Sequence, residues 1–263
     1  MATQTPAPAL VSHDDFIAYA VSVGVDVETA EAAHTNISKG SSFQLGTSGK
    51  FASGKDTVAL AAIGVLGAAN VDHRSFASDL KSEVGQVIDI VRSATSPEGA
   101  VATVVASQGV VAAQAAFVVG LLWVQVRVDA QVNGYSRTTE VRTALQYWGT
   151  EMRRAQDEQY WVKRAVAGAI RATAAGKTVI FTDLRYPNEE EALRKAGFNT
   201  VRLDVTTETQ AQRLWDRDGL RPDPATMAHP SENALDAHEG FTLRFDNDGT
   251  LAEAVQMVTA LWD

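Results

Sequence analysis

The sequence has no cysteine, which excludes disulfide frameworks, iron–sulfur clusters and thiolate zinc sites. Histidine is also scarce: there are five, none in an HxxxH spacing, so a histidine metal centre is not expected. Basic charge is not in excess. Lys and Arg number 23 against 32 Asp and Glu, a net charge of −9; without a general positive field, stable nucleic-acid binding is not expected. The start, MATQTPAPAL, lacks a basic or an apolar leader region, so no secretion signal and a cytoplasmic location are expected. What is present fits a folded chain. Hydrophobic residues make up 45% and charged residues only 21% of 263 positions, enough for one sizeable domain, or one with an appended piece, and too apolar for disorder.

One stretch, Ala100–Val126, carries no charge and is long enough to cross a bilayer. Thr103, Ser107, Gln108, Gln114 and Gln125 interrupt it and much of the rest is Ala and Gly, which favours a buried helix or helix pair over a membrane span. A partner subunit facing this stretch, and hence a homodimer, is left open.

Residues 1–40 read as an N-terminal helical extension, with Ser12 as an N-cap ahead of Asp14 and Asp15, and a second helix over Val27–Asn36. From residue 41 to 263 the pattern is strand, glycine loop, helix. Strands are expected at Ser42–Thr47, His73–Phe76, Thr178–Thr182, Thr200–Val205 and Thr242–Phe245, and helices at Asp56–Leu66, Glu189–Ala196, Thr209–Asp218 and Thr250–Trp262, with a mostly helical region over Asp79–Tyr160. Five strands interleaved with helices predict an α/β fold with a mainly parallel sheet, whose ligands bind beyond the carboxyl ends of the strands.

After the first strand stands Gly49-Lys50-Phe51-Ala52-Ser53-Gly54-Lys55-Asp56-Thr57. It matches G-x-x-x-x-G-K, in which backbone N–H groups wrap phosphate oxygens at a helix N-terminus and the lysine reaches the β- and γ-phosphates. The glycines let the chain turn tightly without a Cβ in the anion's way. The hydroxyl residue usual after the lysine is replaced by Asp56, with Thr57 one step later; a carboxylate is a good Mg²⁺ ligand, and these two are the metal candidates. A nucleotide and Mg²⁺ are therefore expected at this loop. Neither the Asn-Lys-x-Asp of signalling GTPases nor an LSGGQ transport-ATPase signature occurs, which points to a small-molecule kinase.

Phosphoryl transfer needs positioned cations around two anions. Asp183, after the apolar strand, would hold metal-bound water or orient the acceptor, or else cap a loop. Arg185 would grip an acceptor phosphate through its bidentate fork, or pair with the Glu189–Glu191 cluster. Arg213 and Arg217, at i and i+4 on one helix, and Arg221 would cover the transferring group from a closing lid, or pair with Asp216, Asp218 and Asp223. His229, Ser231 and Glu232 lie in a Pro-flanked loop, for which helix capping is the alternative.

Several stretches in order resemble the bacteriophage deoxynucleoside monophosphate kinases, a branch of the P-loop nucleotide kinases. They are Gly49–Thr57, Phe76–Lys81, Leu145–Glu151 with Arg154 and Trp161, Thr182–Glu189, and His229–Glu232. The resemblance implies a P-loop nucleoside-kinase-like three-layer fold with strand 1 central, a helical insertion and a mobile lid at about 209–238. It implies transfer of the γ-phosphoryl of ATP to a deoxynucleoside 5′-monophosphate, in the host cytoplasm for a phage-encoded protein. It also makes Lys81, Glu151, Arg154 and Trp161 acceptor-site residues: cations for phosphate, a carboxylate for base or sugar, an indole for stacking. Without it, Glu151 and Arg154 read as a surface pair and Trp161 as core. Another acceptor (a modified nucleotide, a base in DNA, a coenzyme precursor) or a non-catalytic nucleotide-binding protein remains as an alternative.

Overall fold

A computed structural model of the chain describes residues 11–67, 70–136, 138–219 and 230–262. The expected Arg221 and His229, the side chain of Ser231 and the middle of the 209–238 segment lie outside the described residues. The chain forms two compact units. One takes in the described residues up to Ser75 together with those from Ala165 onward; the other is Phe76–Arg164.

The first unit is α/β. Its strands are β1 (Gln44–Gly49), β2 (Val71–Arg74), β3 (Thr178–Leu184), β4 (Asn199–Asp204) and β5 (Leu243–Asp246). They pair in the order β2-β3-β1-β4-β5, and every pairing is parallel, so the sheet is wholly rather than mainly parallel. The strand limits move from those expected because pairing, not composition, sets them. Ser48 and Gly49 are drawn into β1 by Arg202 and Leu203 on one side, and Ser48 by Leu184 on the other. β2 starts at Val71 against Thr178 and ends at Arg74, short of Phe76.

Helices α1 (His13–Ser22), α2 (Val27–Ser38) and α3 (Lys55–Val65) belong to this unit. On one sheet face, alternate residues Leu45, Ile180, Val201, Leu203 and Phe245 form a core with α3 and the C-terminal helix Leu251–Thr259. On the other face lies the helix Pro187–Lys195. A Cβ on Gly46 would sit 2.8 Å from a Leu193 methyl, so the glycine lets that helix come close. Buried on both faces, the central strands β1, β3 and β4 need no polar alternation, and the architecture is consistent with a three-layer α/β fold.

The N-terminal segment is not appended to this unit but built into it. Ser12 and Asp26 cap α1 and α2 by accepting from Asp15 N (3.2 Å) and Thr29 N (2.8 Å). Phe16 is buried, and Gly197, at φ +77°, leaves room for Ile37 and Phe16. Asn36 Nδ2 donates to Thr173 O (2.9 Å), and Arg171 donates to Gly24 O (2.6 Å).

The second unit is helical: α4 (Ser78–Ser93), α5 (Pro97–Gln108), α6 (Ala112–Val128), α7 (Thr139–Tyr147), a π-helical segment Trp148–Arg154 and the start of α8 (Tyr160–Ala174). Its core joins Val84, Ile88, Val104, Val118, Leu122 and Trp148. The uncharged stretch is a helix pair, broken where Gly109 takes φ +62° after α5, a C-terminal stop that glycine adopts without a Cβ penalty. Among the described residues, no helix is long and apolar enough to cross a membrane. In chain order, α9 (Pro187–Lys195), α10 (Thr207–Asp218), α11 (Pro230–Asn233) and α12 (Leu251–Thr259) complete the helices, and a 3₁₀ turn covers Ala260–Trp262.

Candidate functional site

The glycine loop runs from the end of β1 to Lys55, the first residue of α3, as its sequence requires. Gly54 precedes the helix at φ +87° and Ala52 takes φ +60°. Gly49 is needed for a different reason: a Cβ there would lie 2.7 Å from Leu203 O and collide with Ser53 Oγ. Its absence lets the loop fold back so that Ser53 N donates to Lys50 O (3.0 Å). Ser53 is fully buried, and its hydroxyl has no hydrogen-bond partner among the described residues. A buried, orphaned hydroxyl is costly unless a ligand supplies the partner.

Three elements hold the loop from outside. Glu232 Oε2 in α11 accepts from Phe51 N (2.7 Å), and Gln210 Nε2 in α10 donates to Phe51 O (2.7 Å). Asn247, just past β5, donates from Nδ2 to Ser53 O (2.7 Å). Arg213 donates to Ser53 O (3.2 Å) and to Asn247 O (2.7 Å). Arg217 lies 4.6 Å over the Phe51 ring, and Lys50 pairs with Asp236 at 2.8 Å. Arg213 and Arg217 thus meet loop atoms. Of the partners expected for them, Asp216 instead accepts from Gln212 (2.7 Å). Beside the loop is a cavity of about 240 Å³ lined by Gly54, Thr57, Val58, Arg213, Asn247 and Leu251.

Lys55 keeps its side chain 14% exposed, with Nζ 3.2 Å from Asp56 Oδ2. Burial pushes the Asp56 carboxyl up, but the hydrogen bond from Thr182 and the Lys55 charge together outweigh it and hold Asp56 below its usual range. Thr182 is itself buried in β3, with Oγ1 2.9 Å from His73 Nε2 in β2. A hydroxyl has one proton, and a carboxylate can only accept. Thr182 must therefore donate to Asp56 and accept from His73, which places the imidazole proton on Nε2. Thr57 is exposed and lines the cavity. Among the described residues no group of three or more His, Asp or Glu is placed to hold a metal, so an ion bound by Asp56 would take its other ligands from phosphate and water, the usual habit of Mg²⁺.

β3 continues through Leu184, so Asp183 lies within the strand, partly exposed, rather than after it. Arg185 follows directly. Its backbone N and that of Tyr186 donate to Glu189 Oε2 (2.8 and 3.2 Å), closing the N-terminus of α9. Its guanidinium pairs instead with Glu232 Oε1 (2.6 Å). Two further residues were not singled out from the sequence. Arg202, 3% exposed, donates to Ser48 Oγ (3.0 Å) and pairs with Asp236 (2.7 Å); Asn247 is the other. Their partners Ser48 and Ser53 lie more than a hundred residues away, and no local pattern signals them.

The remaining candidates lie in the helical unit. Lys81 Nζ is 5.2 Å from the Tyr135 ring centre. Glu151 and Arg154 are exposed on the π-helical segment, a form that occurs often at functional sites. Trp161 requires a correction. It is 2% exposed, and its Nε1 donates to Gly149 O (3.1 Å), so it presents no face for stacking and serves as core. The unit's main polar feature was also missed. The buried Glu83 accepts from Trp148 Nε1 (2.8 Å), Arg153 Nε (2.9 Å) and Tyr160 OH (2.8 Å). Burial, then the bond to Glu83, pushes the Tyr160 phenol up.

No protein-family model matches the chain, and no curated protein matches it in sequence.

Proposed function

We propose that the chain is a P-loop phosphotransferase that moves the γ-phosphoryl of ATP to a deoxynucleoside 5′-monophosphate, giving ADP and the diphosphate. The observation that carries the reading is the loop at the end of the central strand. It folds over a buried Ser53 hydroxyl that lacks a partner among the described residues and opens onto the first turn of α3, where Lys55 stands. The N–H groups of a first helical turn have no intrahelical acceptor and carry the positive end of the helix dipole. Ser53 Oγ would be completed by a phosphate oxygen, and the cavity beside Thr57 and Arg213 suits the rest of the donor nucleotide.

In this reading Lys55 places a point charge on the transferring group, and Asp56, kept ionised by Thr182 and Lys55, is the protein's ligand for Mg²⁺. An ion held there would neutralise phosphate charge. Thr57, facing the cavity, is better placed for donor oxygens than for the metal. Arg185 takes the acceptor phosphate, and Asp183, beside it on β3, orients the acceptor. Arg213 and Arg217 keep the loop in shape and add positive charge around it. The bond from the γ-phosphorus to the β,γ-bridging oxygen breaks as a bond to an acceptor phosphate oxygen forms. For Lys81, Glu151 and Arg154, an acceptor role rests on the family resemblance alone.

The test is ADP release with Mg²⁺ and ATP across an acceptor panel. Turnover with free deoxynucleoside monophosphates only is the expected result. Turnover with DNA or a coenzyme precursor would move the acceptor, and tight ATP binding without turnover would leave a binding protein. Calorimetry that registers no binding of any purine triphosphate with magnesium would end the proposal.

A further inference from the structure

We infer that Glu232 is a positioning residue that ties the phosphate-binding loop to Arg185, fixing the acceptor's phosphate grip relative to the donor's. The inference rests on the phosphotransfer reading above. Each carboxylate oxygen has its own duty: Oε2 accepts from Phe51 N at 2.7 Å, and Oε1 pairs with Arg185 Nη1 at 2.6 Å. Glu232 is only 9% exposed, and charge-assisted bonds of this length in such a setting are strong and directional. One side chain therefore spans from the loop after β1 to the residue after β3.

Two further observations make this a brace. Phe51 is gripped through both of its backbone groups, its N–H by Glu232 and its C=O by Gln210, so neither of the two peptide planes that flank it is free to turn toward a ligand. One helical turn beyond Glu232, Asp236 repeats the arrangement, pairing with Lys50 (2.8 Å) and with the buried Arg202 (2.7 Å), which also holds Ser48 at the end of β1. Two carboxylates thus fasten one side of the loop to the carboxyl ends of the neighbouring strands.

A carboxylate held by an amide and a guanidinium also resembles a bound anion, and a self-occupied phosphate site is the rival interpretation. Position decides against it. Phe51 N lies four residues before Lys55, the start of α3, whereas the donors that collect phosphate are those of the first helical turn. A reaction that depends on placing two anions is sensitive to such a brace, since a misplacement of about 1 Å costs roughly a hundredfold in rate.

The experiment uses the full chain with E232Q. Glutamine keeps the size and one oxygen for Phe51 N but removes the charge facing Arg185. The expected result is a rise of about tenfold in the acceptor KM and a similar fall in kcat, with the ATP KM within about twofold of wild type. E232Q added to R185Q should cost no more than R185Q alone. A purely structural Glu232 would instead lower the melting temperature and leave both KM values per folded molecule unchanged, which overturns the inference. So would tighter binding of ATP or inorganic phosphate by E232Q, the signature of a plug. If the wild-type protein turns over no acceptor, the functional reading falls, and hydrogen exchange still decides the tie. R185Q should speed exchange of the Phe51 amide about tenfold, and exchange equal to wild type refutes the brace even if E232Q does not fold.

Discussion

The two units spend their buried polar groups differently. In the helical unit they converge on one point: Glu83 accepts from Trp148, Arg153 and Tyr160, all within the unit's own core. In the sheet unit they are strung along the carboxyl ends of the strands and hold a loop. Ser53 O accepts from Asn247 and Arg213, Phe51 donates its N–H to Glu232 and accepts at its C=O from Gln210, and Asp56 is held by Thr182 and Lys55. A network that closes on itself fixes a core. A network that leaves Ser53 Oγ without a partner among the described residues fits the proposed donor phosphate. The contrast predicts that substitutions in the first network register in stability and those in the second in binding and turnover.

The largest effect expected is at Lys55. K55A should lower turnover by about a thousandfold, since a positioned cation on the transferring group acts mainly in the transition state. The unfolding midpoint should stay close to wild type because, among the described residues, the ion pair of Lys55 is with the exposed Asp56. Rates within tenfold of wild type in ADP-release assays would remove this loop from the chemistry and erase the contrast between the units.

Next comes Glu83. E83A leaves Arg153, 8% exposed, without its carboxylate, and removing one partner of a buried pair costs about 3–5 kcal/mol. Urea unfolding should show that loss, with ATP affinity of the folded fraction unchanged. Replacing Glu83 and Arg153 together by leucine and methionine should recover much of it, because the second uncompensated charge is then gone. A large change in nucleotide affinity in folded E83A would show that the helical unit's network is functional after all.

How far these arrangements could be read beforehand follows from the range of each interaction. β3 was visible because Thr178–Thr182 is an apolar run, and the loop because glycine spacing is a local signal. The additions of Asp183 and Leu184 to β3, and of Ser48 and Gly49 to β1, were not, since cross-strand pairing decides them. Arg185 was legible as a site residue but its partner was not: the near Glu189 takes its backbone N–H, while Glu232, 47 positions along, takes the guanidinium. Asn247 belongs to no motif, and its side chain's reach of 194 positions to Ser53 O has no trace in local pattern. Trp161 went wrong in the opposite sense. Motif resemblance favoured a stacking face, but an indole with Gly149 O as its acceptor is satisfied inside the core.

A smaller effect is expected at Gly54. At φ +87° any side chain is strained, and a Cβ would lie 2.9 Å from Asn247 Nδ2, the group that holds Ser53 O. G54A should cost about 1–2 kcal/mol of stability and weaken ATP binding measurably by calorimetry. G64A, in the same unit's α3 with open space around its Cβ, should instead stabilise by about 0.5–1 kcal/mol. The pair separates a glycine the loop needs from one it does not.

The smallest effect concerns Thr182 and acid. In the folded protein Asp56 sits below its ordinary value because the Thr182 bond and the Lys55 charge outweigh burial. A carboxyl whose folded pKa is depressed contributes stability that is fully present above its unfolded pKa, about 3.9. That contribution fades as pH falls toward and through the lower folded value. T182V removes one lowering contribution and leaves the burial that opposes it, so the folded pKa of Asp56 moves up toward the unfolded one, its contribution to stability shrinks, and the loss of that contribution is complete at higher pH. T182S, which keeps the hydroxyl, should titrate like wild type. The measurement is the carboxyl resonance of Asp56 between pH 2 and 7 in the three proteins, beside their acid unfolding midpoints. If T182V and wild type titrate together, the hydroxyl does not hold Asp56, and the chain from His73 through Thr182 to the loop is packing without electrostatic consequence.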